Sequence, residues 1–281
     1  HRLDALLVQR LAPWFCGRCK LIVTIHDLTP IKFKDVYKGI SNHLVRLLTK
    51  NTIMRADLIL TPTNAIKAEI AAYAPKLKAP IRAFYNGVDI EKFKKNAVIN
   101  TQTAPPYLLT VGAIERRKNL ETIIDALALL KETDLHLYIL GGIRDQAYFA
   151  QIQQQILALN LTNRVHYLGF LDEEALISRY QHAQIFITSS KDEGFNIPPL
   201  EAMACNVPVI CSDIVVHREL FDGAAMFYAT ESAQDLSEKI EQLRQDVTLR
   251  KKLCQEGREK TQFFNWSQTA SNVAYALREV L

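Results

Sequence analysis

Three short stretches hold the side chains best suited to chemistry. The richest runs over residues 189–204, Ser-Ser-Lys-Asp-Glu-Gly-Phe-Asn-Ile-Pro-Pro-Leu-Glu-Ala-Met-Ala. It places Glu193 in a loop and Glu201 a turn into a helix that Pro198 and Pro199 would open. Each carboxylate could accept hydroxyls of a ligand running past the helix start. The same pair could serve as the acid and base of a glycosidase, or be a helix-capping Glu201 beside a surface Glu193. Backbone N–H groups over residues 196–200, the prolines excepted, would be open to an anion. A second stretch, residues 111–119, reads Val-Gly-Ala-Ile-Glu-Arg-Arg-Lys-Asn. Gly112 permits a tight turn, and the guanidinium fork of Arg117 with the point charge of Lys118 suits phosphate. The pattern is neither a dinucleotide fingerprint nor a Walker loop, and a solvated basic loop is the plainer alternative. The third stretch, residues 24–30, carries His26 at the end of an apolar run. An isolated histidine is as readily structural as functional. Cys16 and Cys19 form the one close cysteine pair. A strand pattern follows it where a redox pair would precede a helix, and no second pair completes a zinc site, so reduced thiols are expected.

Those stretches need elements to hold them. Short aliphatic and β-branched runs recur at residues 21–25, 58–61, 81–84, 107–111, 135–140, 165–168, 185–188, 207–211 and 225–228. Runs of that kind suit strands buried on both faces. Between them lie helical patterns at 119–131, where Leu120, Ile123, Ile124, Leu127 and Leu130 share one face, and at 146–159 and 173–182. Strand–helix alternation predicts an α/β protein with doubly wound parallel sheets. The three stretches follow strands, which is where ligands bind in such sheets.

The turn signal Asn86-Gly87 and the polar segment ending at Pro105-Pro106 suggest a division. The expected plan is a first domain over 1–90, a linker over 91–106, a second domain over 107–262 and a C-terminal helix over 263–281, packing back toward the first domain. Six strands are expected after the linker but only about three before it. With His1 rather than Met at the start, the first domain is expected to lack its beginning. The 281 residues have a mean hydropathy of −0.03 and no long apolar run, which disfavours disordered and membrane-spanning classes. Charge is uneven: residues 1–100 carry 17 basic against 7 acidic residues, and residues 101–281 carry 17 against 23. The basic half should face something anionic, yet no finger spacing, RNP-like strand or basic heptad points to nucleic acid.

Taken together, the order of these pieces resembles the glycosyltransferases of family 4. The matching residues are Val23-Thr24-Ile25-His26-Asp27-Leu28, Ala56-Asp57 with Thr61-Pro62-Thr63, and Asn86-Gly87-Val88-Asp89 with Phe93. They continue through Val111-Gly112 with Arg117-Lys118-Asn119, Leu168-Gly169-Phe170, the Glu193…Glu201 element, Pro208-Val209-Ile210 and Phe264-Asn265-Trp266. The Arg-Lys-Asn after the strand looks most like bacterial mannosyltransferases of surface polysaccharide synthesis.

The resemblance implies a GT-B fold of two Rossmann-like domains across a cleft, the first incomplete here. It implies retaining transfer of a sugar from a nucleotide diphosphate sugar to a saccharide or lipid-linked hydroxyl, with no bound metal or other cofactor. Carried over, Arg117 and Lys118 beyond Gly112 would hold the donor diphosphate, Glu193 the transferred sugar and Glu201 the ribose. Backbone around Gly194, Phe195, Asn196 and Ile197 would face sugar and phosphate, and His26 would reach the sugar from the opposite domain. Three positions depart from the family pattern. Asn196 and Asn206 stand where glycine is usual, so a side chain at 196 is expected to point at the donor. Ala113 replaces a frequent arginine, leaving Arg116 or Arg117 to supply that charge. A non-catalytic nucleotide-binding relic and a sugar-nucleotide epimerase are the alternatives. A cytoplasmic location follows from this reading, with peripheral contact to anionic lipid through Lys32, Lys34, Lys38, Arg46 and Lys50.

Overall fold

The computed structural model describes residues 3–13, 19–33, 40–94 and 105–281. Cys16, Lys34, Lys38 and most of the expected 91–106 linker lie outside the described residues. Contacts divide the chain into two units. Unit 1 comprises His1–Gly87, Glu193–Phe195 and Phe264–Leu281, and unit 2 comprises Val88–Asp192 and Asn196–Phe263.

In unit 1, β1 (Ala5–Gln9), β2 (Lys20–Thr24), β3 (Leu58–Thr61) and β4 (Ile81–Ala83) pair in chain order, all parallel. Helices α1 (Thr29–Lys32), α2 (Ile40–Arg55) and α3 (Asn64–Tyr73) connect them. β3 is buried along its length, which is why its sequence is an unbroken apolar run. β1 differs from the reading by run pattern, which found no strand before residue 21. It is an edge strand in the described sheet with Leu7 exposed, although residues 5–8, Ala-Leu-Leu-Val, form an apolar run like those of the inner strands. Asp57 joins β2 to β3: its carboxylate accepts from Leu21 N at 2.8 Å and from Lys20 Nζ at 3.1 Å.

Unit 2 holds, in chain order, α4 (Ile90–Lys94), β5 (Tyr107–Val111), α5 (Leu120–Leu129), β6 (His136–Leu140), α6 (Gln146–Ala158), β7 (Val165–Gly169), α7 (Glu173–His182) and β8 (Ile185–Thr188). It continues with α8 (Pro198–Ala204), β9 (Val209–Ser212), α9 (Val215–Phe221), β10 (Met226–Tyr228), α10 (Ala233–Gln245) and α11 (Val247–Thr261). Its six strands are parallel in the order β10-β9-β8-β5-β6-β7. Numbered within the unit this is 3-2-1-4-5-6, the doubly wound order, read from the other edge. The order reverses where β5 meets β8, through Leu108↔Ile185 and Leu109↔Phe186. Ile123, Ile124 and Leu127 of α5 are fully buried against the sheet, as their spacing predicts. Side-chain caps fix the entries of α6, α7, α10 and α11, with Asp145, Asp172, Ser232 and Asp246 each accepting from the backbone N–H of the third helical residue.

The last helix, α12 (Trp266–Arg278), belongs to unit 1. Asn265 caps it, accepting from Ser267 N at 2.8 Å. A Cβ on Gly87 would overlap the Trp266 backbone nitrogen and indole, so this close approach requires glycine. No helix among the described residues is long and apolar enough to cross a membrane.

Candidate functional site

In unit 2 the switch point gathers two of the predicted stretches. Gly112 follows β5, and a single 3-10 turn over Arg116–Lys118 comes before α5. Gly112, Ala113 and Lys118 line one wall of a narrow recess, and Thr188, Ser189 and Ser190 at the end of β8 line the other. The Lys118 side chain lies across Gly112: a Cβ there would sit 3.3 Å from Lys118 Cε and 3.4 Å from Nζ. Backbone and side chain then lock the two stretches together. Ser189 Oγ donates to Lys118 O at 2.6 Å, and Lys191 N donates to Arg117 O at 2.9 Å.

Arg117 is committed to this lock. Its guanidinium donates to Asp192 O at 2.6 Å and to Glu115 Oε1 at 2.7 Å. Arg116 turns away, toward Asp145 at 3.6 Å and over the Tyr148 ring. Lys118 is therefore the cation of the cluster that lines the recess.

At α8 the second carboxylate is held firmly. Tyr180 is fully buried and donates from its hydroxyl to Glu201 Oε2 at 2.6 Å, with Phe93 packed edge-on to its ring. Burial raises the Glu201 pKa above the usual carboxylate value, opposed by the Tyr180 bond and by the charge of Lys92. The amides expected to be open need correction at one position. Leu200 N donates to Ile197 O at 2.8 Å and Glu201 N to the same carbonyl, closing the first helical turn.

Asn196 requires a second correction. Its backbone is left-handed, with φ of 77°, but its side chain does not point outward. Nδ2 donates to Thr188 Oγ1 at 3.0 Å and to His217 Nε2 at 2.9 Å, both buried. A buried imidazole supplies the acceptor that turns the amide inward.

Beside this recess, and open on the same strand ends, is a wider pocket of about 440 Å³. Gly141, Gly142, Arg144, Gly169 and Phe170 are among its lining residues. The Phe170 ring is 85% exposed and overlies Gly142, so the pocket offers an aromatic face beside bare backbone.

In unit 1 the third stretch meets the middle of the first. Residues 193–195 pack with His26: a Cβ on Gly194 would overlap the His26 carbonyl oxygen, so only glycine fits. Thr63 Oγ1 donates to Gly194 O at 3.1 Å while capping α3 through Ile66 N. Phe195 is buried in an aromatic cluster with Tyr85 and Phe264. Glu193 is 6% exposed. His26 is exposed, and partial desolvation holds its pKa below the ordinary 6.5, with Asp27 opposing and Arg10 adding to the shift.

Sequence reasoning missed Tyr180 and His217, which act through partners 21 positions away and stand in no local motif. Thr63 stands in the matching segment Thr61-Pro62-Thr63, but its bond to Gly194 O, 131 positions on, has no local signal. Among the described residues no cluster of three or more His, Cys, Asp or Glu side chains is placed to hold a metal ion, and the described cysteines Cys19, Cys205, Cys211 and Cys254 are unbridged.

Comparison with known proteins adds a family to this geometry. Residues 91–260 match the model described as Glycosyl transferases group 1, and residues 1–92 match that described as Glycosyltransferase Family 4. The O-antigen chain mannosyltransferase RfbU of Salmonella typhimurium is 32% identical over 79% of this chain and 61% of its own length. The serotype-specific mannosyltransferase WbdA of Escherichia coli is 25% identical over 92% of this chain and 32% of its own. The chain thus spans less than two thirds of either relative. Among solved structures, sucrose-phosphate synthase from Thermosynechococcus elongatus superposes with a TM-score of 0.81 at 24% identity, over 94% of this chain and 68% of that one. Anabaena HepE, in complex with UDP and glucose, gives 0.80 at 21% identity, over 93% and 72%. These likenesses establish the GT-B fold class.

Proposed function

The chain belongs to the group 1 glycosyl transferases, and on that premise we propose that it moves a hexosyl group from a nucleotide diphosphate sugar to an acceptor hydroxyl with retention. A mannose-like sugar and a saccharide or lipid-linked acceptor are favoured by the similarity to the two O-antigen and serotype mannosyltransferases. One observation carries the reading: Lys118, Gly112 and the end of β8 surround a recess at the switch point of the unit 2 sheet.

In this reading Lys118 faces the donor diphosphate and offsets the charge that grows on it as the glycosidic bond breaks, the largest kind of contribution available to such a transfer. Arg117 fixes residue 192 and adds positive potential. The wider pocket beside Phe170 takes the base, and Glu201, oriented by Tyr180, takes ribose hydroxyls. Within unit 1, His26 and Glu193 take hydroxyls of the transferred sugar. The acceptor oxygen bonds to the anomeric carbon on the face from which the diphosphate leaves. The carbon–oxygen bond to phosphate breaks, a phosphate oxygen receives the acceptor's proton, and the nucleoside diphosphate departs.

The test is turnover of a nucleotide-sugar panel, followed by released nucleoside diphosphate, with the full-length protein. Lys118→Ala is expected to lower kcat by about 100-fold or more, the scale for losing one transition-state charge partner. Unchanged transfer by Lys118→Ala or Glu193→Ala would rule the assignment out.

Peripheral contact with anionic lipid is part of the same proposal. Helix α2 carries Arg46, Lys50 and Arg55 without a single acid, and Leu44, Leu47 and Met54 are exposed along it. That combination favours an anionic interface, at about 1 kcal/mol per cation near the surface. Co-sedimentation with anionic vesicles should weaken as salt rises and fall with Lys50→Glu. Salt-independent binding would contradict it.

A further inference from the structure

The loop that carries Glu193 leaves unit 2 after residue 192 and re-enters it at residue 196. Both of its stems are fastened to one buried side chain that no motif in the sequence announces. His217, on α9, is fully excluded from solvent. Its Nε2 lies 2.9 Å from Asn196 Nδ2. An amide nitrogen can only donate, so Nε2 accepts and the imidazole proton resides on Nδ1. Nδ1 in turn donates to Ser212 O at 2.9 Å, and Ser212 Oγ donates to Ser190 O at 2.6 Å. Asn196 Nδ2 also reaches Thr188 Oγ1 at 3.0 Å. Thr188 and Ser190 form the outgoing stem and Asn196 the returning one. All five side chains are less than 9% exposed.

Asn196 needs the anchor. At φ of 77° a residue with a Cβ is strained, although asparagine tolerates the left-handed region better than most.

We propose that the Asn196–His217 pair replaces glycine at this turn, with neutral His217 as the positioning residue that holds both stems of the Glu193 loop in the donor-binding conformation. His217 touches no substrate. It acts through Asn196 on one side and through Ser212 on the other. The inference deepens the donor-binding reading given above and rests on it for its effect on ligand, but not for its effect on the loop.

Substitutions at His217 and Asn196, read by amide exchange, nucleoside diphosphate binding and thermal stability, test it. Amide hydrogen exchange reports the loop whatever the protein does, and titration with GDP and UDP reports donor-side binding. His217→Ala should speed exchange across residues 188–196 and weaken nucleoside diphosphate binding by about tenfold, the loss expected when a buried hydrogen bond disappears. His217→Gln, which can accept from Asn196 and donate to Ser212 O, should recover most of both. In an Asn196→Gly background, where the backbone needs no anchor, His217→Ala should cost less than about threefold in binding, while its loss of thermal stability should persist.

A purely structural histidine would lower stability and leave this cycle additive, and that result would overturn the proposal. Unchanged exchange over 188–196 in His217→Ala would overturn it as well. If His217→Ala does not fold, Asn196→Ala against Asn196→Gly decides the matter: weak binding and fast exchange only in the alanine variant support the anchor, and equal behaviour refutes it. Altered exchange with no nucleoside diphosphate bound by the wild type would keep the loop claim and refute the donor-binding reading instead.

Discussion

Glu201 owes its orientation to a phenol that lies 21 positions before it in the chain. Because Tyr180 is fully buried and donates at 2.6 Å, Tyr180→Phe removes one bond with little loss of packing. The expected result is about a five- to tenfold weaker donor affinity, with kcat little changed, since a ground-state contact has been lost. A rise in KM measured on a nucleotide-sugar donor checks it. At this scale the sequence was half legible. Residue types and spacing identified Lys118, Glu193, Glu201 and His26 as candidates because motifs are local. The same spacing could not say that Arg117 is spent on Asp192 O and Glu115, or that the Asn196 amide points inward. Those facts depend on partners brought in by the fold, and the inward turn of Asn196 depends on a histidine 21 positions further on.

Single elements set two further expectations. His136 on β6 and His166 on β7 stack with centroids 5.0 Å apart and share a hydrogen bond of 2.8 Å between ring nitrogens. Burial, then the charges of His166 and Arg164, holds the His136 pKa below its ordinary 6.5, with Asp134 opposing. The unfolded chain therefore binds a proton more readily than the folded one, so stability falls as pH drops through 6.5 toward the folded-state value. Denaturant unfolding between pH 7.5 and 5 should show that decline, and His136→Phe should lessen it, leaving the part that His26 contributes. At Gly194 the close approach to the His26 carbonyl leaves no room for a methyl group. Gly194→Ala should destabilise unit 1 by about 1–3 kcal/mol through overpacking, measurable as a lowered Tm. Elements were the most readable level of this sequence. Strands buried on both faces, such as β3, β8 and β9, announce themselves as apolar runs. β1 carries a run of the same kind over residues 5–8, although it lies at the edge of the described sheet with Leu7 exposed.

For the whole molecule, the division into units has a thermodynamic consequence. The proposed nucleotide contacts, at Gly112, Lys118, residues 188–190 and Glu201, belong to unit 2, and those proposed for the sugar, at His26 and Glu193, belong to unit 1. A nucleoside diphosphate without its sugar should therefore stabilise unit 2 alone, by about 2.7 kcal/mol at a free concentration near 100 times Kd. Calorimetry should show that as an upward shift of one transition. The α/β alternation and the doubly wound second half could be read from periodicity. The placement of residues 193–195 in unit 1 could not, since contact between distant segments leaves no periodic trace. The claim on which everything else depends is that Lys118 and the strand ends around it form a nucleoside diphosphate site. Isothermal titration of GDP and UDP into the wild-type protein and Lys118→Ala tests it without needing the acceptor. The account predicts that at least one of the two binds the wild type and that Lys118→Ala weakens it by about tenfold or more, as expected for losing a charge-assisted contact. Equal affinity in the two proteins, or no binding by the wild type, would contradict it.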